Sequence, residues 1–459
     1  MSSNFEEIKD HIRRVYLTYN RPFLVGFSGG KDSSITLQLV WEALKELPAE
    51  KLVTDVYVIT VDTLVETPYI VAYIDSIIEG INRAAKEEKL PISAHKLTPK
   101  IEDSFWVNLI GKGYPAPSQQ FRWCTDRLKI DPINKFTLEY VSKFGEVTIV
   151  LGARNAESSS RSQVLEKKKR DKLGLSLHPS LPGAYVFTPI ESLTSDAVWD
   201  YLLRNNKTPW GSNNRNLSAM YQNASGGECP LVVDKTTPTC GSSRFGCWTC
   251  TLIEKDTSME NLIDSGEEWM SPLMEFRDLL SSTQDPDRKS EYREHKRRDG
   301  RIIFVKDGSK LSYGPYKMEW RKEFLKRLLQ TQREVRKNGP DKSYTLISLE
   351  ELKIIRKIWK REEYDWEDSV PRIYVEVMGE ELPVGSEDGV NFTFADLNLL
   401  EKVCKREGVP VGMVAKLIDE ERKVNGMSRR AGIIREMDRV LGEEWRTAEN
   451  ILRESAGSR

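Results

Sequence analysis

Short apolar runs alternate with longer stretches of helical periodicity through the first 200 residues. This alternation predicts an α/β domain built as a doubly wound, mostly parallel sheet. PFLVGF (22–27) is the first run, and Ser28-Gly29-Gly30-Lys31-Asp32-Ser33 follows it before an apolar-periodic stretch begins. A strand therefore hands a glycine loop to a helix. KLVTDVYVITVDT (51–63) reads as the second strand, residues 69–88 as a helix, and PISAHKLT (91–98), VTIVLGAR (147–154) and AYVFTPI (184–190) as three more strands. Ligands of such sheets bind outside the carboxyl ends of the strands, which puts Ser28, Asp62, Gly152 and Arg154 on one rim.

The second half of the chain reads differently. KMEWRKEFLKRLLQTQREVRKNG (317–339) fits an amphipathic helix with Phe324, Leu325, Leu328, Leu329 and Val335 facing inward. Turn-rich stretches at 338–345 and 365–390 read as linkers. Residues 393–456 read as three helices with breaks at Gly408-Val409-Pro410 and Asn425-Gly426, and Cys404 sits at core spacing with Leu399, Leu400 and Val403. Four parts result: 1–210, 211–260, 261–340 and 341–459.

Composition narrows the partners. The 459 residues carry a net charge of −1 with 30% charged residues, so no overall field draws the chain to nucleic acid or membrane. Basic patches are local, at 285–301, 317–339 and EKKKRDK (166–172). Their faces can track a phosphate backbone or can simply be solvated. No apolar stretch reaches the roughly 18 residues of a membrane span. The first residues, MSSNFEEIKDHIRR, show no signal-peptide apolar region, so a cytoplasmic location is expected. In that reducing compartment the six cysteines read as ligands or reactive thiols rather than disulfides.

The glycine loop carries the first chemistry. Gly29 and Gly30 let the backbone approach an anion, and the following helix turns its free N–H groups to the same point. A Walker A sequence needs four residues between its first Gly and a Gly-Lys-Ser/Thr end, which Gly29-Gly30-Lys31-Asp32 lacks. Ser28 and Ser33 offer hydroxyls to phosphates, Lys31 a point charge, and Asp32 a carboxylate for Mg²⁺. Arg154 and Arg161 offer planar forks for phosphates or an anionic substrate.

Cysteine carries the second. Cys229, Cys240, Cys247 and Cys250 stand as C-x10-C-x6-C-x2-C in a stretch rich in Gly, Pro, Ser and Thr, and no histidine is near them. Four thiols so spaced read as a metal site, either zinc or an iron–sulfur cluster. Cys124, in FRWCTDRLK, stands apart as a candidate active-site thiol or sulfur acceptor. Its neighbours Arg122, Arg127 and Lys129 would favour thiolate if they face it.

The loop SGGKDS resembles the pyrophosphate loop of the N-type ATP pyrophosphatases, which release AMP and pyrophosphate from ATP. Asp62-Thr63 with Glu66-Thr67-Pro68, GARNAESSSR (152–161) and FTPIESLTSDAVWDYL (187–202) resemble, in the same order, motifs of the phosphoadenylyl-sulfate (PAPS) reductase family. Leu64 departs from the pattern, standing where that family often has Gly. The loop, the RWCTDRLK segment, the cysteine ladder ending in GCWTC and the charged C-terminal extension together resemble the DndC-like sulfurtransferases of bacterial DNA phosphorothioation, over roughly residues 5–330.

That resemblance implies an adenine nucleotide α-hydrolase-like fold and a catalytic set of Lys31, Asp32, Cys124 and Arg154. Ser28, Gly29, Gly30, Lys31, Asp32, Ser33, Asp62, Gly152, Arg154 and Arg161 would bind ATP and Mg²⁺. It favours a [4Fe–4S] cluster over zinc on Cys229, Cys240, Cys247 and Cys250. It further implies DNA, a cysteine desulfurase as sulfur donor and other phosphorothioation subunits as partners, with no membrane. A PAPS or APS reductase, a tRNA thiolase and a non-enzymatic metal-binding module are the alternatives.

Overall fold

The computed structural model describes residues 2–155, 170–223, 246–305, 311–383, 394–423, 432–446 and 450–451. The chain divides into two units, Met1–Phe105 with Pro117–Asp278 and Trp106–Ala116 with Leu279–Arg459.

In the first unit α1 (Ser2–Tyr19) precedes β1 (Phe23–Gly26), α2 (Lys31–Lys45), β2 (Val56–Val61), α3 (Pro68–Glu87) and β3 (Ile92–Leu97). Then come α4 (Asp131–Phe144), β4 (Val147–Val150), β5 (Ser176–Leu177), β6 (Ala184–Phe187), α5 (Ser195–Arg204) and α6 (Asn214–Asn223). The sheet runs β3-β2-β1-β4-β6-β5, with Gly26 opposite Ile59 and Val25 opposite Val150. Every pairing is parallel except that of β5 with β6. All five predicted strands are present. The sixth, β5, has two residues, too short for an alternation to register.

Both faces of the sheet are covered, which is why β1 and β4 are buried at every position rather than alternately. On one face Val25, Phe27, Ile35, Leu39, Trp41, Ile77 and Ile81 pack together; on the other Leu24, Ile59, Ile133 and Ile149 pack with Phe136 and Tyr140. Each such side chain contributes about 1.5–3 kcal/mol on burial. Strand order reverses at β1, since β2 lies on one side and β4 on the other. The loops after β1, β2 and β4 thus open at a switch point, the place where doubly wound sheets hold ligands.

The second unit is helical: α7 (Met318–Asn338), α8 (Leu349–Glu362) and α9 (Ser369–Met378) are followed by α10 (Phe394–Glu407), α11 (Val411–Lys423) and α12 (Ile433–Leu441). Phe324, Leu325, Leu328, Leu329 and Val335 are all buried, as the amphipathic pattern predicts, and Cys404 is buried too. The linker expected at 365–390 contains α9, whose Val370, Tyr374 and Val377 are buried; its polar flanks masked a short helix. The break at 408–410 separates α10 from α11, while Asn425-Gly426 lies outside the described residues. The basic side chains of α7 have partners within the unit: Arg321 meets Glu363 at 2.6 Å, Lys326 meets Glu376 at 2.5 Å, and Arg333 donates to the Val377 carbonyl.

One contact fixes the phosphate-loop helix against the sheet. Gly152, just past β4, lies so close to the first turn of α2 that a Cβ there would stand 2.5 Å from the Asp32 carbonyl oxygen and 2.9 Å from Thr36 Oγ1. Gly152 was expected among the nucleotide contacts; it acts here as the spacer that seats α2. Gly152→Ala must push α2 outward, and overpacking of this kind costs about 1–3 kcal/mol. Urea unfolding should show that loss, and an unchanged midpoint would remove the contact from this role.

Candidate functional site

The loop after β1 is stitched by its own serines. Ser28 N–H donates to Ser33 Oγ (3.2 Å), the two hydroxyls are 3.0 Å apart, Gly30 N–H donates to Ser28 Oγ (3.3 Å), and Ser33 Oγ donates to the Gly30 carbonyl (3.0 Å). The hydroxyls expected at phosphates therefore hold the loop in shape. Gly29 has φ +75°, a left-handed backbone that favours glycine, and a Cβ on it would displace the end of the Ile74 side chain.

Behind the loop, Arg154 is 3% exposed, and its Nε donates to Asp32 Oδ1 at 2.6 Å. Lys31 Nζ is 3.2 Å from Asp32 Oδ2. Arg154 thus anchors the first turn of α2 through Asp32, and Asp32 lies between two cations. Lys31 also lies over the Tyr221 ring, 5.2 Å from its centroid.

In front of the loop is a cleft of about 690 Å³ lined by Ser28, Gly29, Asp62, Glu66, Tyr73, Ile74, Lys96 and Lys129, among others. Asp62 lies just past β2 and accepts from Leu64 N–H (2.8 Å), closing a tight turn in which Leu64 takes φ +64°. A left-handed backbone at this position explains why glycine is found there in the motif that Leu64 departs from.

A second cavity of about 520 Å³ is lined by Cys124, Cys247 and Cys250 together with Thr63, Lys129 and Gly246. Lys129 and Gly246 line both spaces, so the cleft and the cysteine cavity adjoin. Cys124 does not stand apart: the π-helical turn Thr125–Ile130 follows it and brings it to the CxxC pair. Of its basic neighbours, Arg127 is 2.6 Å from Asp103 and Arg122 donates to Gln119, which leaves Lys129 facing the cavity. Cys229, Cys240 and Arg161 lie outside the described residues.

The CxxC turn is held from three directions. Glu66 and Cys247 pair as an antiparallel bridge, with Trp248 N–H donating to the Val65 carbonyl at 3.0 Å. Thr63 Oγ1 lies 3.2 Å from Cys247 Sγ and donates to Glu66 Oε1 at 2.8 Å, and Cys247 Sγ is 3.5 Å from the same carboxylate oxygen. Arg277, 2% exposed, donates to the carbonyls of Cys250, Ile253 and Glu254. Burial pushes the Glu66 carboxyl upward, and burial followed by the nearby Glu66 charge pushes the Cys247 thiol well above its ordinary value.

Among the described residues no three His, Cys, Asp or Glu side chains are already arranged around one ion. The donor chemistry nevertheless fits a soft metal group. Three thiols face one cavity, and a bound cation would offset the cost of a buried thiolate. Arg277, Gly246 and Tyr221 were not singled out by sequence reasoning, because nothing local marks an arginine, glycine or tyrosine that reaches the site from a distant helix or loop.

The arrangement defines a class: a doubly wound α/β domain with a glycine loop at its switch point and thiols beside the adjoining cleft. Residues 22–252 match the phosphoadenosine phosphosulfate reductase domain, and the chain belongs to that family. An uncharacterized protein of Methanocaldococcus jannaschii is 26% identical over 243 residues, covering 53% of this chain and 39% of that relative. The match thus spans about two-fifths of the relative's length. Among solved structures, a PAPS reductase from Candida auris in a phosphate complex is 14% identical with TM-score 0.28, covering 46% of this chain and 84% of that one. The U34-tRNA thiolase NcsA from Methanococcus maripaludis with its [4Fe–4S] cluster is 17% identical with TM-score 0.28, covering 61% and 81%.

The left-handed turn at Leu64 has a direct test. Leu64→Gly relieves the backbone, whereas Leu64→Val adds a β-branch that the left-handed region disfavours. The glycine variant should be more stable than the valine variant by at least about 1 kcal/mol in thermal or urea unfolding. Equal stabilities would mean that the turn relaxes to another conformation.

Proposed function

We propose that the chain is an ATP pyrophosphatase that activates a phosphate oxygen by adenylylation and directs its replacement by sulfur, with a DNA backbone phosphate as the acceptor. The observation that carries the proposal is the shared wall of the two cavities, where Lys129 faces both the cleft beside the anion loop and the three thiols. The motif order of the PAPS reductase family supports the nucleotide half. The DndC-like pattern of cysteines and flanking segments supports the DNA half.

The triphosphate of ATP would rest on the loop amides and Lys31, where the helix N-terminus favours negative charge. Asp32 and Arg154 keep that turn rigid without spending binding energy on substrate. An acceptor oxygen attacks the α-phosphorus and the bond to the β-phosphate breaks, so pyrophosphate leaves with its charge met by Lys31 and the loop. Sulfur at the sulfide oxidation level then attacks the activated phosphorus, a P–S bond forms, and AMP leaves with the oxygen. A cysteine desulfurase with a thiol reductant would supply that sulfur.

Cys124, Cys247 and Cys250 would hold an iron–sulfur cluster, joined by Cys229 or Cys240 if the expected ladder also contributes. When bound, such a group supplies a soft site for sulfide. Lys129 screens negative charge between the two spaces, and the buried Trp248 helps exclude water behind the thiols. Other phosphorothioation subunits are proposed as partners that present the DNA.

The adenylylation step is tested by pyrophosphate release from ATP with a DNA acceptor. Asp32→Ala, which removes the Asp32 contact of Arg154, and Lys31→Ala should each lower release by about a hundredfold or more, the scale of losing a preorganised charge contact. Release that persists at the wild-type rate would reject the loop. Mass spectrometry of nuclease-digested product should find phosphorothioate linkages in DNA; sulfur found in RNA alone would move the acceptor to another nucleic acid.

The thiol centre is tested by anaerobic reconstitution with iron and sulfide. Cys124→Ser, Cys247→Ser and Cys250→Ser should each lose the thiolate-to-iron charge-transfer band, while Cys404→Ser keeps it. Full iron in Cys124→Ser with loss in both Cys229→Ser and Cys240→Ser would return the site to the four-cysteine ladder. Stoichiometric zinc in a colourless protein would replace the cluster altogether.

A further inference from the structure

Tyr221 makes a contact that the proposed reaction does not use. It lies near the end of α6, and its hydroxyl accepts from the backbone N–H of Lys31 at 3.1 Å. That N–H belongs to the first residue of α2, one of the amides that a helix N-terminus offers to an anion. A Cβ on Gly30 would stand 2.9 Å from the same hydroxyl, so this glycine leaves room for Tyr221 as well as for the turn. The ring lies beneath the Lys31 ammonium and edge-on to Trp199 of α5, with centroids 5.1 Å apart. A phenolic oxygen thus stands where a phosphate oxygen would stand, on the donor a phosphate would use.

We propose that Tyr221 gates the phosphate loop: its hydroxyl is a resident stand-in for an anion oxygen, and a pyrophosphate or triphosphate takes the Lys31 amide by displacing it. This rests on the assignment of the loop to ATP phosphates. Displacement shifts the end of α6. A nucleoside without phosphates leaves Tyr221 in place, so the gate answers to the polyphosphate end of the ligand.

Isothermal titration of the full chain with inorganic pyrophosphate, ATP and adenosine separates the outcomes. Tyr221→Phe keeps the ring over Lys31 and removes the competing oxygen. It should bind pyrophosphate and ATP about three- to tenfold tighter than wild type, the worth of one neutral hydrogen bond, with adenosine affinity unchanged. Equal or weaker binding of pyrophosphate by the variant, with wild type binding normally, overturns the gate and leaves the loop assignment standing. A wild-type chain that binds neither pyrophosphate nor ATP overturns both. Tighter binding of adenosine to the same degree would signal general loosening and also overturns the gate. A second readout needs no variant: pyrophosphate should speed amide hydrogen exchange in residues 214–223 of the wild-type chain, and slower exchange there would reject displacement.

Discussion

The pairing of the turn after β2 with the CxxC turn is the constraint on which the site depends. Residues 62–66 contribute Asp62 to the cleft in front of the glycine loop and, within four positions, Thr63, Val65 and Glu66 to the hydrogen bonds that hold Cys247 and Trp248. A single backbone excursion therefore belongs to both spaces. The strained residue at its centre, Leu64, persists in a left-handed conformation because the Asp62 carboxylate and the paired strand segment fix the residues on either side of it.

Charge inside the first unit is arranged so that the loop is built before any ligand is considered. Asp32 neutralises Arg154 and approaches Lys31, and the serine hydroxyls satisfy one another and the loop backbone. Groups that look like ligand contacts in the sequence are thus partly framework. The thiol cavity follows the opposite logic. Its Cys247 is buried beside a carboxylate, which makes the free thiolate costly.

The second unit shows how a basic sequence can be absorbed by its own fold. Arg321 is 1% exposed and pairs with Glu363 while donating to the carbonyls of Ile110 and Gly111. Those carbonyls belong to a π-helical turn, Val107–Gly111, whose wider spacing leaves acceptors that a long guanidinium can reach. A count of lysines and arginines along residues 317–339 could not distinguish such buried partners from a solvent-facing stripe, because the acidic mates come from α9 and from residues 363–365.

Local pattern was enough for the strands, the loop-to-helix junction, the buried face of α7 and the packing of Cys404, since each follows from a period of apolar residues or a glycine turn that neighbours in sequence define. The glycine turn after β1 was legible for the same reason: it lies within six consecutive residues. Distance along the chain hid the rest. Bringing Cys124 to Cys247, Tyr221 to Lys31, Gly152 to the Asp32 carbonyl, and residues 106–116 into the helical unit all required chain segments dozens to hundreds of positions apart to meet. Those meetings are set by the order of strands in the sheet and by side-chain packing, which no short window of sequence encodes.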